Sequence, residues 1–393
     1  MSTRLQPAKG TRDLNPQEVE ISHLLTSKLS NVFKLWGYEE VSPPIIERLE
    51  TLKAGDAIQS KDIIKLVADE QLGLIPEMTA SISRVASTRF INRSRPLRLW
   101  AKGNVYKTKD LKEGGVQIEE EQQAGVELFG LKSINAEIEL LSLLLESLKT
   151  LDLKNKFQPT LLIGHTDLME LILDDFEDDL REYIKSLLIN IDIVSIQKLK
   201  ISEKQRIKLM EILKCRGNPS YVLNIIKKTY GNVPIIKKFN SLFSIIEPIS
   251  KNYNVKIQFD PTFHPHFELY NGFMFNLVCK SITNQVVIAR GGRYDKIVKR
   301  FSDNSDQAAG VGFSISIDKI RELLNERDIK NQIKEKILIA YDSTNRIEKA
   351  LNVQKSLHNK GKIAIIEFAE CSNKQAAIEL LQKRDCSELN WIE

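Results

Sequence analysis

Between residues 15 and 37 the apolar positions Ile21, Leu25, Leu29, Val32 and Trp36 recur at helical spacing. The segment opens on Asn15, Pro16 and Glu18, a capping-box arrangement, and closes on Gly37, so one amphipathic helix is predicted there. Strand-like alternation follows around Arg98–Tyr106 and Gln123–Phe129, and residues 134–151 return to a strong helical pattern. From about 166 to 250 the pattern is helical throughout, with turn signals at 201–205, 216–220 and 230–234, which reads as a helical insertion. Strand patterns then resume at 255–260, 267–281, 285–292 and 308–317, the middle two joined by a hairpin at 282–285, and a helix over 316–326 closes the block. Beyond it, 336–342, 344–361, 362–368 and 373–385 read as a β-α-β-α unit with one parallel strand pair and a short 391–393 tail.

Strands that are interrupted by helices and then resumed imply one antiparallel-rich sheet built from two separated stretches of chain, an α+β fold. The predicted division is 1–325, carrying the insertion at about 166–250, and a small α/β unit at 334–393.

Composition changes this picture little. The 393 residues are 42% hydrophobic and 28% charged with a net charge of +5, values of an ordinary soluble protein that give only weak support to a nucleic-acid surface. No apolar run has membrane-spanning length and the N-terminus has no apolar signal core, so a cytoplasmic location is expected. Four scattered cysteines and five histidines form neither a disulfide framework nor a zinc-ligand spacing, and no metal or cofactor is expected. The nucleotide and hydrolase motifs G-x-G-x-x-G, Walker A and G-x-S-x-G are absent, which leaves the acidic and aromatic residues of the strands to carry function.

Seven stretches share one order and spacing with a known family: PAKGTRDLNP, FKLWGYEEVSPPIIERLE, IPEMTA, RPLRLWAKGNVYK, QQAGVELFG, ARGGRYDKIV and GVGFSISIDKI. Together they resemble the catalytic domain of histidyl-tRNA synthetases, a class II synthetase fold, over residues 5–325. The 334–393 unit is similar to the start of that family's anticodon-binding domain, cut short. The resemblance implies a six-stranded antiparallel sheet flanked by helices and a homodimer formed through the region of Pro43 and Pro44.

Amino-acid activation needs cations around the ATP phosphates, and arginine forks serve best. The family's arginines fall here on Lys107, Lys319, Pro265 and Ile75, while the loop that should close on ATP carries Glu119, Glu120 and Glu121. Drift from arginine to lysine would account for Lys107 and Lys319 but not for Pro265, Ile75 or the glutamates. The amino-acid pocket keeps its required residue types. By the family pattern the ligand ammonium is held by Glu77, Thr79 and Gln123, and the imidazole is read by Glu127 and Tyr270 with Tyr294 alongside. The carboxylate's partner falls on Pro265, for which His264, His266 or Arg293 would have to substitute. Taken singly, Glu127 reads equally as a buried carboxylate in a polar network, Tyr270 and Tyr294 as core aromatics, and Gln123 as a solvent-facing amide; jointly they match one ligand.

A synthetase-like domain that keeps the amino-acid pocket and loses ATP chemistry resembles the paralogous family of ATP phosphoribosyltransferase regulatory subunits. That resemblance implies assembly with a short-form ATP phosphoribosyltransferase catalytic subunit, as a hetero-octamer, and free histidine as effector of feedback inhibition. Two other classes fit the motifs: a divergent histidyl-tRNA synthetase, and a tRNA-binding scaffold, although tRNA contact is the less expected.

Overall fold

The computed structural model describes residues 5–54, 58, 61–111, 114–153, 157–265, 269–281, 283–302, 308–324 and 336–393. Two compact units make up the chain, Met1–Leu323 and Leu324–Glu393.

The first unit opens with α1 (Pro16–Leu35), where the Asn15 side chain accepts the Glu18 amide and the Glu18 carboxylate accepts that of Asn15, each at 2.9 Å. This reciprocal cap satisfies two of the helix's orphan donors, and Gly37 stops the chain in the left-handed region at φ +80°. Ile21, Leu25, Leu29, Val32 and Phe33 are buried, whereas Trp36 is half-buried with its indole N–H donated to Glu146.

The eight strands of the main sheet are β1 (Glu39–Glu40), β4 (Leu97–Asp110), β5 (Val116–Phe129), β6 (Thr160–His165), β7 (Lys256–Phe259), β8 (Phe273–Lys280), β9 (Gln285–Arg293) and β10 (Gly310–Ser316). Their spatial order is β1-β4-β5-β10-β9-β8-β6-β7. The six central strands are antiparallel throughout, and a parallel strand is added at each edge, β1 on β4 and β7 on β6. A two-stranded sheet of β2 (Ile46–Arg48) and β3 (Leu72–Leu74) precedes the long β4–β5 hairpin, which stays in register from Leu97 opposite Phe129 to Asp110 opposite Val116.

Helices α2 (Leu49–Leu52), α3 (Thr79–Thr88) and α4 (Asn135–Thr150) lie among these strands in sequence. The insertion is α5 (Thr166–Leu173), α6 (Asp178–Ile189), α7 (Ile193–Lys198), α8 (Glu203–Lys214), α9 (Pro219–Tyr230) and α10 (Pro234–Asn252), with its own core of Ile184, Leu188, Ile196, Leu209 and Ile212. Helices α11 (Asp295–Phe301) and α12 (Ile317–Leu323) follow β9 and β10.

Strand alternation gives the sheet two different faces. On one, Phe33 of α1 packs against Trp100 and Phe313, with ring centroids 5.8 and 6.1 Å apart. On the other, Ile82 and Ala86 of α3 pack with Leu97, Leu99, Ala101 and Tyr294, and the same face presents Glu127, cross-strand neighbour of Leu99.

The second unit is a three-stranded parallel sheet in the order β12-β11-β13, from β11 (Lys336–Tyr341), β12 (Ile363–Ile366) and β13 (Glu388–Ile392), with helices α13 (Ile347–Asn359) and α14 (Lys374–Lys383). Here the structure corrects the sequence reading, because the expected tail is a third strand. Ile392 is buried opposite Tyr341, so the short ELNWI run is held by partner hydrogen bonds rather than by its own length. A second correction concerns 267–281, where the strand begins only at Phe273. Residues 269–272 turn into it, with Gly272 at φ +127°, and 267–268 lie outside the described residues. Among the described residues no helix is long and apolar enough to cross a membrane.

Candidate functional site

A cavity of about 430 Å³ opens on the α3 face of the main sheet. Its floor comes from alternate residues of adjacent strands: Gln123, Gly125 and Glu127 of β5, Gly312 and Ser314 of β10, Arg290 of β9 and Lys107 of β4. Its rim comes from Glu77 and Thr79 at the start of α3 and from Leu269 and Tyr270 ahead of β8. All six residues expected in the amino-acid pocket, Glu77, Thr79, Gln123, Glu127, Tyr270 and Tyr294, line this one cavity.

Two bare rungs shape the floor. Glu127, Gly312 and Gly292 lie in one rung, and Gly125, Ser314 and Arg290 in the next. A Cβ on Gly312 would sit 1.7 Å from Glu127 Oε2, and one on Gly292 would sit 2.7 Å from the Tyr270 ring. Glycine at these positions leaves the room in which the carboxylate and the ring lie over the sheet.

Glu127 is 5% exposed. Its Oε1 accepts the Thr79 hydroxyl at 2.8 Å, and its Oε2 accepts the Tyr294 hydroxyl. Burial pushes its carboxyl up to about 8, against the pull of both hydroxyl donors. At neutral pH such a group holds a proton that an imidazole can share. Burial also raises the Tyr270 and Tyr294 hydroxyls, with Glu127 the next cause, so both phenols remain donors.

The roles expected of the ammonium-binding residues shift in detail. Glu77 spends its carboxylate on the amides of Thr79 and Ala80 at the α3 N-terminus, and burial raises it above the usual carboxyl value. The Thr79 hydroxyl serves Glu127, and the Gln123 side-chain amide donates to Glu121. These polar groups are therefore already engaged with one another across the cavity wall.

Farther along β5, beyond the residues that line the cavity, the surroundings differ. Glu121 Oε1 accepts the Ser316 hydroxyl at 2.7 Å and lies 3.4 Å from Lys319 Nζ. Burial opposes its ionisation, but Lys319, Ser316, Gln123 and Lys107 outweigh it and leave the carboxyl below its usual value. Of the three glutamates expected to face a nucleotide, Glu120 points to the opposite face, where it accepts from Asn104 at 2.7 Å and Tyr106 at 3.1 Å. Strand alternation, which a run of three like residues conceals, separates it from Glu119 and Glu121.

The expected substitutes for the missing carboxylate partner fare unevenly. Arg293 is 5% exposed and committed to Glu137, with Nε and Nη2 each 2.9 Å from a carboxylate oxygen, and to Asp295 at 3.2 Å. It lies on the odd-numbered side of β9, away from the cavity, so its candidacy is withdrawn. His264 keeps Nδ1 3.2 Å from the Pro265 carbonyl, and His266 lies outside the described residues. Sequence reasoning missed Arg290; its spacing of two from Gly292 and four from Tyr294 was the available signal.

A second depression, about 480 Å³, lies along one side of α13 between Asn345 and Ser356. It brings no buried polar groups together and is not the candidate site.

Comparison with known proteins bears on this cavity. The histidyl-tRNA synthetase family model matches residues 10–320. The ATP phosphoribosyltransferase regulatory subunit of Prochlorococcus marinus (strain MIT 9303) is 49% identical over 389 residues, covering 99% of each chain. The chain belongs to the family of ATP phosphoribosyltransferase regulatory subunits. Another regulatory subunit, from Synechococcus sp. (strain CC9902), is 45% identical with 99% of each chain covered. Among solved structures, an ATP phosphoribosyltransferase regulatory subunit/histidyl-tRNA synthetase from Bacillus halodurans superposes with a TM-score of 0.82 at 22% identity, covering 100% of this chain and 99% of that one. Histidyl-tRNA synthetase from Nostoc sp. PCC 7120 superposes with a TM-score of 0.75 at 16% identity, covering 97% and 89%. The regulatory-subunit family thus shares the class II synthetase fold, and the cavity lies on that fold's central sheet.

Proposed function

We propose that the chain is a non-catalytic regulatory subunit that assembles with a short ATP phosphoribosyltransferase catalytic subunit. It enables that subunit's activity in the first step of histidine biosynthesis and passes on inhibition by histidine. The observation that carries this reading is a contrast along one strand: a buried, proton-holding carboxyl beside two phenols in the cavity, and, six residues earlier on β5, a carboxylate already paired with lysine.

Free histidine fits the cavity. Its imidazole shares a proton with Glu127, whose second oxygen is steadied by Thr79, while Tyr270 donates to the ring's other side. Its ammonium meets Glu77 and Gln123. The earlier part of β5 is unsuited to a triphosphate, because Glu121 holds the Lys319 ammonium and adds negative charge where phosphates would lie. Synthetase activity is lost on this reading. Regulation follows from a coupling free energy, since histidine can inhibit only by binding one quaternary arrangement more tightly than another. Exposed Ile45 and Ile46 next to Pro44 offer the apolar surface for the homodimer.

The test is to mix the purified chain with the short transferase and titrate histidine. The reading expects complex formation, a gain in transferase activity and its loss with histidine. No complex and no change in activity would overturn it, as would histidine-dependent ATP–pyrophosphate exchange by the chain alone.

A further inference from the structure

The cavity offers partners for an ammonium and an imidazole, and its wall carries the carboxyls of Asp62, Glu77, Glu119 and Glu127 beside the cations Lys107, Lys109 and Arg290. A ligand with only those two groups would be an imidazole amine. A free amino acid also brings a carboxylate, which this wall would repel unless a cation faces it.

We infer that Arg290 supplies that cation, so that the cavity takes a whole zwitterionic amino acid through a guanidinium–carboxylate pair. This rests on the reading of the cavity as a histidine site. The position that the family resemblance marks for this role is Pro265, and Arg293 faces Glu137 on the other side of the sheet.

Three observations place Arg290 in the role. First, Arg290, Gly292 and Tyr294 alternate onto one side of the chain, and that side is the cavity side, because a Cβ on Gly292 would meet Tyr270 and the Tyr294 hydroxyl reaches Glu127. Second, Arg290 shares its rung with Ser314 and Gly125, side chains too small to screen the guanidinium from the cavity. The neighbouring rung carries Glu127, and adjacent rungs of one face stand about 6.7 Å apart along the strands. From ordinary bond lengths, histidine spans roughly 6 Å between its distal imidazole nitrogen and its carboxylate. Third, Lys107 stands nearby on the same wall. Burial first, and the like charge of Arg290 against the attraction of Glu121, hold its ammonium below the usual lysine value. A ligand carboxylate would relieve that repulsion.

Lys107 and Lys109 are the other cations of the wall. Lys107 is drawn toward Glu121, Glu77 and Glu119, and Lys109 is exposed toward the tip of the hairpin. Neither presents a planar fork, which binds a carboxylate bidentately and fixes its direction.

Calorimetric titration of the full chain with L-histidine and with histamine, which lacks the carboxylate, tests the assignment. Histidine should bind the unaltered chain more tightly than histamine. Arg290→Gln should weaken histidine by roughly 10- to 100-fold while leaving histamine within about twofold, the scale of a charged hydrogen-bonded pair. Arg290→Lys should recover part of the loss, and the ligand-free unfolding midpoint of Arg290→Gln should stay near that of the unaltered chain. Unchanged histidine affinity in Arg290→Gln overturns the inference, as does an equal loss for both ligands or a collapsed midpoint, which would mark a structural arginine. If the unaltered chain binds histidine, Glu127→Ala abolishes binding and Arg290→Gln does not, only this inference falls. If the unaltered chain does not bind histidine, the histidine reading of the cavity falls with it.

Discussion

Glu121 and Glu127 are the same residue type on the same face of the same strand, six positions apart, yet their environments drive them to opposite charge states. Glu127 is enclosed by Gly312, Tyr294 and Thr79, its oxygens held by two hydroxyls, and burial lifts it to about 8. Glu121 stands beside Lys319, Ser316 and Gln123, and the lysine keeps it ionised below the usual carboxyl value. Residue type alone therefore assigns neither role. A carboxyl among hydroxyls is a proton reservoir suited to imidazole, and a carboxylate on a lysine is half of a closed ion pair.

The largest expected break of this contrast is Glu127→Ala. On the proposed reading it lowers histidine affinity by about 100-fold, removing hydrogen bonds to a charged or proton-sharing group. The check is loss of the histidine-induced rise in melting temperature, with the ligand-free midpoint measured alongside. A retained rise would mean that Glu127 is only a buried structural acid.

The opposite end is tested by Glu121→Gln. Releasing Lys319 from its carboxylate should strengthen binding of ATP or inorganic pyrophosphate by roughly tenfold, on the scale of a partly buried charge pair. If anion binding does not rise, Glu121 is not what excludes phosphate from the cleft.

Proton bookkeeping sharpens the comparison further. One proton lies between Glu127 and the imidazole in the complex. Free histidine titrates near 6.5, so affinity should be level from about pH 6.5 to about 8. It should fall by about tenfold per pH unit on either side, where a proton must be released or taken up. In the ligand-free chain the sign is fixed by the raised carboxyl. Between the usual 4.5 and about 8 the folded state holds a proton that the unfolded state has lost. The contribution of Glu127 is therefore complete below about 4.5 and is lost as pH rises through 8. Glu127→Gln should flatten that part of a stability–pH profile.

Asn15→Ala has the smallest expected effect and serves as a control far from the contrast. Losing the α1 cap should cost about 1 kcal/mol of stability, read as a lower denaturant midpoint, and leave histidine affinity unchanged. A change in affinity would show that Glu127 senses global stability rather than its own neighbours.

Much of the fold was legible because local physics wrote it. Asn15, Pro16, Glu18 and Gly37 mark the ends of α1 through hydrogen bonds and φ values that involve only near neighbours. The helical run of the insertion was readable from its 3.6-residue period. The strand at Glu388–Ile392 was not, since a five-residue run acquires its conformation from pairing with β11. The late start of β8 escaped for a related reason, because Leu269–Gly272 pattern like a strand but are turned by contacts with Arg293 and the α11 amide end.

For the site, the order of residues was enough to give their types and their parity along each strand, Gln123, Gly125 and Glu127 sharing one side of β5 and Arg290, Gly292 and Tyr294 one side of β9 and its end. By resemblance it also put Lys107, Lys319, Pro265 and Ile75 where the family's arginines are expected. Folding is what sets these residues in shared rungs across the sheet, Glu127 with Gly292 and Gly125 with Arg290, with glycine and serine of β10 between them. It assigned Thr79 to Glu127, Lys319 to Glu121 and Arg293 to Glu137. The reason is physical: parity is a property of one strand, whereas the charge state of a carboxyl depends on which groups from distant parts of the chain replace its water.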